Sequence, residues 1–256
     1  MQFFKSFSKF HKIYFIFFLV VNMIVFLSPL FTGESSSTLF SIESLIPLLS
    51  TLAGLFAAIY TARGQKWAYV WGFINVAAYI YVSLTRHLYG EVSLYLIYML
   101  PMQIVGYYSW SKNSTGETVQ AKKMQKKHWL IFLVFFVVFW SAYATFVNHL
   151  PDIFKALFDM TIKHDKEFML DSLTATLTVS AVVLATNRFI EQWYLWIISD
   201  SLGIVLFIVS IIETGSVTAS AISGAMMWIQ FTSNAIYGYM CWRKIHAANM
   251  AAKNIA

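Results

Sequence analysis

The pattern of hydrophobic positions is dominated by long runs that contain no charged residue. Six such runs occur, at residues 13–31, 44–62, 67–85, 92–111, 129–151 and 214–242. Two further runs, 168–187 and 192–212, contain one acid each, Asp171 and Asp200. About 20 mostly apolar residues are needed to cross the hydrocarbon core as a helix, and the alternation of a barrel strand is absent. The pattern therefore predicts an all-α integral membrane protein with eight transmembrane helices, numbered here run 1 to run 8 in chain order.

The composition excludes a fully soluble protein. Of 256 residues, 59% are hydrophobic and only 12% are charged, whereas soluble domains carry about 25% charged residues. The single cysteine, Cys241, excludes an intrachain disulfide and a cysteine-based zinc site, and we expect neither a metal nor a cofactor. Run 1 is longer than the apolar part of a signal peptide, so we expect it to be a retained helix.

The distribution of basic residues predicts the orientation. With the N-terminus inside, fourteen of the eighteen Lys and Arg residues fall on the inner side, as the positive-inside rule requires. Both termini are then cytoplasmic. The basic stretch 122–127 is expected to contact the inner leaflet of the lipid bilayer, and no nucleic acid is expected as a partner.

Two parts of the chain resemble each other. Trp67 to Asn75 is followed later by Gly106-Tyr-Tyr-Ser-Trp110, and Trp193 to Asp200 by Gly238-Tyr-Met-Cys-Trp242. Runs 2–4 and 6–8 thus form two triplets that point the same way, unless the likeness is a chance one between tryptophan-rich helices. The predicted segments are an N-terminal helix (1–37), a first repeat (38–111), a basic cytoplasmic loop (112–128), a linking helix (129–151), an outer loop (152–167), a second repeat (168–245) and a C-terminal tail (246–256).

Four strongly polar side chains are expected at one depth in the membrane: Asn75, Gln103, Asp200 and Asn234. Each lies seven or eight residues from a tryptophan that we expect in the interfacial belt: Trp67, Trp110, Trp193 and Trp242, respectively. At 1.5 Å per residue the polar groups lie roughly 10–12 Å deep, and Gln230 lies about one turn further out. Exposing them to lipid is costly, so we expect them to face a common central pocket. Pro101 should kink run 4 beside this layer.

The helical stripes that contain these groups give the candidate substrate-binding set. Its members are Trp71, Asn75, Tyr79, Gln103, Tyr107, Trp196, Asp200, Gln230, Asn234 and Tyr237. Amides and a carboxylate bind hydroxyls and carboxamides, and aromatic faces stack on flat rings and attract delocalised cations. The pattern indicates a polar ligand, neutral or cationic, with a flat ring and hydroxyl groups. The alternative for each Asn or Gln is a hydrogen bond that joins two helices.

The segment from Asn187 to Asp200 resembles the hallmark motif of the PnuC family of nicotinamide riboside transporters. The Gln103 to Trp110 segment and the end of run 8 are similar to that family too, and the likeness covers roughly residues 40–245. It implies a 3+1+3 core related to SWEET sugar transporters, preceded here by one extra helix, and a homotrimer. It also implies facilitated diffusion of nicotinamide riboside across a bacterial cytoplasmic membrane, with trapping by a cytosolic riboside kinase. Close relatives carry thiamine or riboflavin, and the motif does not separate these vitamins.

Other functional classes fit the sequence less well. An intramembrane enzyme needs a nucleophile–base pair or metal ligands at one depth, and the sequence contains no HExxH, no GxSxG and no deep pair of carboxylates. We therefore predict that the protein is not an enzyme. A single deep acid without a histidine relay argues against ion coupling and favours a uniporter. A membrane sensor or an assembly subunit is the remaining alternative.

Overall fold

The computed structural model describes residues 7–27, 30, 40–162, 164, 168–214 and 219–255, without the side chains of 206, 207, 209–211, 213–227 and 253–255. In chain order the elements are α1 (Lys9–Leu27), α2 (Ile42–Ala62), α3 (Trp67–Thr85), α4 (Tyr89–Leu94), a π-helical segment π1 (Tyr95–Met99), α5 (Leu100–Lys112), β1 (Ser114–Thr115), β2 (Thr118–Val119), α6 (Lys126–Phe158), α7 (Phe168–Thr186), α8 (Gln192–Thr214) and α9 (Ala219–Ile255).

The described residues are overwhelmingly helical, which confirms the all-α class. Within them, five helices are long and apolar enough to cross a membrane: α1, α2, α3, α6 and α7. Run 4 corresponds to α4, π1 and α5 together, and π1 ends directly before Leu100 and Pro101. A proline lacks the N–H that would continue the regular ladder, so a distortion at this place is expected. The number of membrane crossings stays a prediction.

Six helices are in contact in a closed order. The neighbours follow the chain from α2 through α3, α5, α7 and α8 to α9, and α9 returns to α2. Helix α1 lies outside this ring against α2 and α9. Helix α6 packs on α7, and its Phe135, Phe139 and Tyr143 contact a cluster that includes Met99 of π1. Each of these two helices therefore covers a seam between the first and the second half of the ring.

The loops that follow α2 and α7 have the same backbone geometry. Gly64 and Arg188 both adopt a left-handed conformation, with φ of 66° and 67°. Gly64 N–H donates to Thr61 O at 2.9 Å, and Arg188 N–H donates to Ala185 O at 2.8 Å, at the same offset along the chain. Glycine adopts this conformation without steric cost, whereas Arg188 must be held in it by its surroundings.

Three of the four tryptophans expected in the interfacial belt are fully buried, so that expectation is wrong for them. Trp110, Trp193 and Trp242 are at most 2% exposed and belong to one core cluster, whereas Trp67 is 50% exposed. Trp110 Nε1 donates to Ala185 O at 2.9 Å. Since all three rings are buried in one cluster with side chains of both halves, they close the bundle rather than anchor it in the headgroups.

Two tryptophans of this cluster, Trp110 and Trp242, donate equivalent hydrogen bonds to the opposite half of the bundle. The indole of Trp242 donates to Thr61 O at 2.8 Å, just as that of Trp110 donates to Ala185 O. Each indole thus caps the end of the first helix of the other triplet. Thr61, Trp110 and Ala185 lie near the C-terminal ends of α2, α5 and α7, and Trp242 lies within α9. These contacts join the two halves at one end of the bundle.

Residues 113–125, expected within a basic cytoplasmic loop, form an ordered strap across this end of the bundle. Strands β1 and β2 pair as a two-stranded antiparallel sheet. Val119 N–H donates to Gly64 O at 2.8 Å, and Lys122 N–H donates to Arg188 O at 2.8 Å. Val119 is fully buried in the cluster of the three tryptophans. The strap therefore links the two equivalent loops.

Two helices continue beyond the apolar runs that predict them. Helix α6 extends to Phe158 with Pro151 inside it, so it includes part of the expected outer loop. Helix α9 extends to Ile255, through most of the segment expected to be a tail. Hydrophobicity locates only the part of a helix that faces lipid or core. The alanine-rich sequence at the end of α9 favours a helix in water as well. The segment boundaries stay predictions.

Candidate functional site

A buried acid without a cationic partner lies in the second half of the ring. Asp200 on α8 is 5% exposed. Among the described residues the ion pair found is His149–Asp152, which lies elsewhere on α6. No basic side chain among the described residues therefore forms an ion pair with Asp200. Burying an uncompensated carboxylate is costly, so this position favours a ligand that brings positive charge or hydrogen-bond donors.

Two amides on the neighbouring helix are buried to the same degree. Gln230 and Asn234 on α9 are both 5% exposed and lie one helical turn apart. The Asn234 Nδ2 donates to Ala58 O of α2 at 3.1 Å. Its Oδ1 is buried without a hydrogen-bond partner among the described residues. Asn234 thus joins α9 to α2 and still offers an acceptor.

Helix α1 contributes a residue to this region that the sequence analysis missed. Tyr14 is 4% exposed, and its hydroxyl donates to the carbonyl oxygen of Gln230 at 3.1 Å. The same hydroxyl lies within electrostatic range of the Asp200 carboxylate. A tyrosine inside an apolar run gives no distinctive signal, because only the packing of α1 on the α2–α9 seam brings it here.

The amides of the first half join helices to one another. Asn75 Nδ2 donates to Ser50 O at 2.8 Å and to Ser50 Oγ at 3.2 Å, which ties α3 to α2. Gln103 Nε2 donates to Met99 O at 3.2 Å, and its side chain fills the space above Gly72, where a Cβ atom would collide with it. The hydrogen bonds of Asn75 fit the alternative that such amides connect helices, whereas Gln103 bonds within its own helical stretch and meets α3 by packing.

Two of the candidate tryptophans differ in their surroundings. Trp71 stacks on Phe56 of α2, with ring centroids 4.5 Å apart and an interplanar angle of 24°. Trp196 is partly buried and contacts three separate core clusters, with side chains from both halves of the ring. Trp196 is one turn before Asp200 on α8, so it is the aromatic residue best placed to accompany the buried acid.

Two candidate tyrosines lie at the strap end of the bundle, away from Asp200. The Tyr237 hydroxyl donates to Ser8 Oγ at 2.9 Å, and its ring stacks on Phe10 at 4.0 Å. Tyr107 lies near the Lys66 ammonium, 5.5 Å from the ring centroid. The contacts of these two side chains are thus with the α1 region and Lys66, and their part in substrate binding stays a prediction.

Tyr79 lies towards the opposite end. Its hydroxyl donates to Glu91 Oε2 at 2.7 Å, and Ser83 Oγ donates to the same oxygen at 3.1 Å. Glu91 was not among the candidates, because it lies one residue before run 4 and all of the candidates lie inside the runs. Tyr79 is thus part of a separate polar cluster on α3 and α4.

Two clefts in the described part of the chain lie away from the four polar residues, and the common central pocket expected for those residues stays a prediction. One cleft lies between α6 and α7 and is lined by Trp140 and His149, among others. The other lies beside the strap and is lined by Gln65 and Glu117, among others. Neither contains a candidate residue. The described residues also contain no group of His, Cys, Asp or Glu side chains that could hold a metal ion.

The chain matches known proteins over most of its length. The sequence profile described as "Nicotinamide mononucleotide transporter" matches residues 44–244. The nicotinamide riboside transporter PnuC of Neisseria mucosa is 28% identical over 250 residues, which cover 95% of this chain and 84% of that protein. The protein of the same name from Haemophilus influenzae is 28% identical, with 79% of this chain and 81% of that protein covered.

A solved structure has the same fold. The crystal structure of the vitamin B3 transporter PnuC superposes with a TM-score of 0.70 at 26% sequence identity, with 95% of this chain and 94% of that chain covered. The helical bundle, its apolar helices and this likeness define an all-α membrane transporter for a small-molecule substrate. The match to most of the chain places it in the nicotinamide mononucleotide transporter family, to which the protein belongs.

Proposed function

We propose that this protein carries nicotinamide riboside across the bacterial cytoplasmic membrane by facilitated diffusion. Two relatives named as nicotinamide riboside transporters match 95% and 79% of the chain. The core of the proposed substrate site is Trp196, Asp200, Gln230 and Asn234. The other candidates enter the proposal as supporting residues: Trp71, Asn75, Tyr79, Gln103, Tyr107 and Tyr237.

The observation that carries the proposal is a buried carboxylate without a counter-charge and a buried amide oxygen without a donor, on two neighbouring helices in the second half of the ring. Asp200 has no cationic partner and Asn234 Oδ1 has no hydrogen-bond donor among the described residues. Nicotinamide riboside supplies what both lack, since it has a cationic pyridinium ring, ribose hydroxyls and a carboxamide N–H. Trp196, one turn from the acid, offers an aromatic face to the ring.

The same charge argument separates the riboside from the mononucleotide. A phosphate group adds about two negative charges at neutral pH and would approach the uncompensated carboxylate of Asp200. Like charges at short range in a poorly solvated site repel strongly. We therefore propose the riboside as the substrate, although the description of the family names the mononucleotide.

Thiamine is the strongest alternative substrate, because it is also flat, hydroxylated and cationic. Riboflavin fits less well, since its ring carries no positive charge to meet Asp200. A calorimetric panel of nicotinamide riboside, its mononucleotide, thiamine and riboflavin on purified protein separates these ligands. We expect binding of the riboside and at least about tenfold weaker binding of the mononucleotide. Tighter binding of thiamine, riboflavin or the mononucleotide than of the riboside would overturn this assignment.

The proposed architecture has eight membrane-spanning helices in two parallel three-helix repeats, with α6 as the linking helix and α1 as an additional helix. The matched loops at Gly64 and Arg188, and the matched indole bonds of Trp110 and Trp242, support the repeat. The basic strap and the positive-inside rule support cytoplasmic termini. A homotrimer and trapping by a cytosolic riboside kinase belong to the proposal on the strength of the family resemblance.

The transport mechanism is proposed to be uniport, without catalysis. Asp200 is the single acid within runs 7 and 8, and a lone deep acid argues against ion coupling. Uptake of labelled riboside into liposomes that contain only this protein tests both points. Entry with an unchanged chemical structure supports a carrier, whereas absence of uptake together with ligand binding supports the sensor or assembly-subunit alternative. A chemically altered product would indicate an enzyme.

A further inference from the structure

A second polar cluster lies at the end of the bundle opposite the strap. The Glu91 carboxylate on α4 accepts hydrogen bonds from the Tyr79 hydroxyl at 2.7 Å and from Ser83 Oγ at 3.1 Å. Both donors reach Oε2, so Oε1 is not occupied by them. Ser83 is fully buried, whereas Glu91 is partly exposed. The carboxylate is therefore held in place on one side and accessible on the other.

The negative charge of Glu91 has no counter-ion among the described residues. The basic residues nearest in sequence are Arg86 and His87, and neither forms an ion pair with it. His87 instead contacts the Tyr89 hydroxyl at 3.1 Å through its Nδ1. Two neutral hydroxyls orient a carboxylate but do not cancel its charge, so the site attracts a cation from outside the protein.

Aromatic rings flank the same carboxylate. The rings of Tyr79 and Tyr95 are 4.7 Å apart with an interplanar angle of 44°. The Tyr143 hydroxyl of α6 donates to Gly90 O at 3.3 Å, which holds α4 beside these rings. A carboxylate next to aromatic rings suits a flat organic cation better than a metal ion, because aromatic rings attract delocalised positive charge and no second carboxylate is bonded there.

We propose that Glu91, with Tyr79 and Tyr95, forms a second binding station for a flat organic cation at the outer mouth of the carrier. This inference rests on the proposed function, since the cation that passes there is the pyridinium riboside itself. Glu91 precedes Gln103 by twelve residues on one continuous helical stretch, which places it roughly 18 Å from the level of the polar layer. The station therefore concentrates the substrate before it reaches Asp200.

The test is E91Q, measured by initial uptake into liposomes. The glutamine carbonyl still accepts from Tyr79 and Ser83, so the variant removes the charge and keeps the local hydrogen bonds. We expect the KM for nicotinamide riboside to rise about tenfold, or about 1.4 kcal/mol. The KM for the dihydropyridine form of the same riboside, which has nearly the same shape and no charge, should stay unchanged.

A matched control is D152N, which removes an exposed acid of α6 from the same end of the bundle. It should leave the KM for both forms unchanged. An unchanged KM for the cation in E91Q would overturn the proposal, and so would an equal rise for both forms, which indicates a structural role. Uptake of neither form by the wild type contradicts the proposed function instead. In that case calorimetry with the riboside tests the second binding station. Equal affinity of E91Q and the wild type for the riboside, or no binding to either, overturns the proposal.

Discussion

Replacing Asp200 by asparagine is the most direct test of the central charge. The variant keeps the shape of the side chain and one acceptor oxygen, replaces the other oxygen by an amide donor, and removes the negative charge. Asp200 is 5% exposed and has no cationic partner among the described residues. A cation about 5 Å away, at an effective dielectric constant of about 20, interacts with it by about 3 kcal/mol. Allowing for partial solvation, we expect a loss of about 2–3 kcal/mol, or about 30- to 150-fold weaker binding of nicotinamide riboside.

Isothermal titration calorimetry on purified D200N measures this loss. Asp171 provides the matched control, because it is an exposed acid in the first turn of α7 and its change to asparagine should leave the affinity unaltered. Thermal unfolding shows whether D200N remains folded, and removal of a buried uncompensated charge should raise its midpoint. A folded D200N that binds the cation as tightly as the wild type would refute the reasoning, since Asp200 would then not face the substrate.

Three further predictions follow from the contacts described above. Changing Asn234 to alanine should weaken riboside binding by about 1–3 kcal/mol in calorimetry. The same change at Asn75 should lower the unfolding midpoint and leave the affinity within about twofold. If the effects of the two changes were exchanged, Asn75 rather than Asn234 would contact the riboside. Changing Trp110 or Trp242 to phenylalanine should each lower the free energy of unfolding by about 1 kcal/mol, because each loses one equivalent indole bond; a neutral result for one of them would contradict the matched roles. An inside-negative potential of about 100 mV should accumulate the cationic riboside about 50-fold in liposomes, and accumulation that follows a proton or sodium gradient instead would exclude uniport.

The helices were the most predictable part of the fold. Charge-free runs of 18 or more residues have few alternatives to helix in a membrane, because every backbone polar group must be satisfied within the segment. The distortion before Pro101 was predictable for the same local reason, since the missing N–H belongs to the residue itself. Where α6 and α9 continue past their apolar runs, hydrophobicity carries no information about helical structure.

The partners of the polar side chains were much less predictable. Asn75 and Asn234 have the same side chain at a similar expected depth, yet the first is bonded to Ser50 and the second keeps a free acceptor. Spacing from a tryptophan gives the depth of a residue but not the identity of its neighbour on the next helix. The contacts of Tyr14 and Glu91 lie outside any stripe that periodicity singles out.

The sequence by itself determined that the chain is a helical membrane protein, where its helices lie, which residues are costly to bury, and which family it resembles. These properties depend on single residues and their neighbours along the chain, through transfer free energies and backbone hydrogen bonding. Only the tertiary structure decided that Trp110 and Trp242 close one end of the bundle, that residues 113–125 cross it as a strap, and that Asp200 has no counter-charge among the described residues. Those outcomes depend on which distant groups meet at hydrogen-bonding distance, and the packing of the helices fixes that.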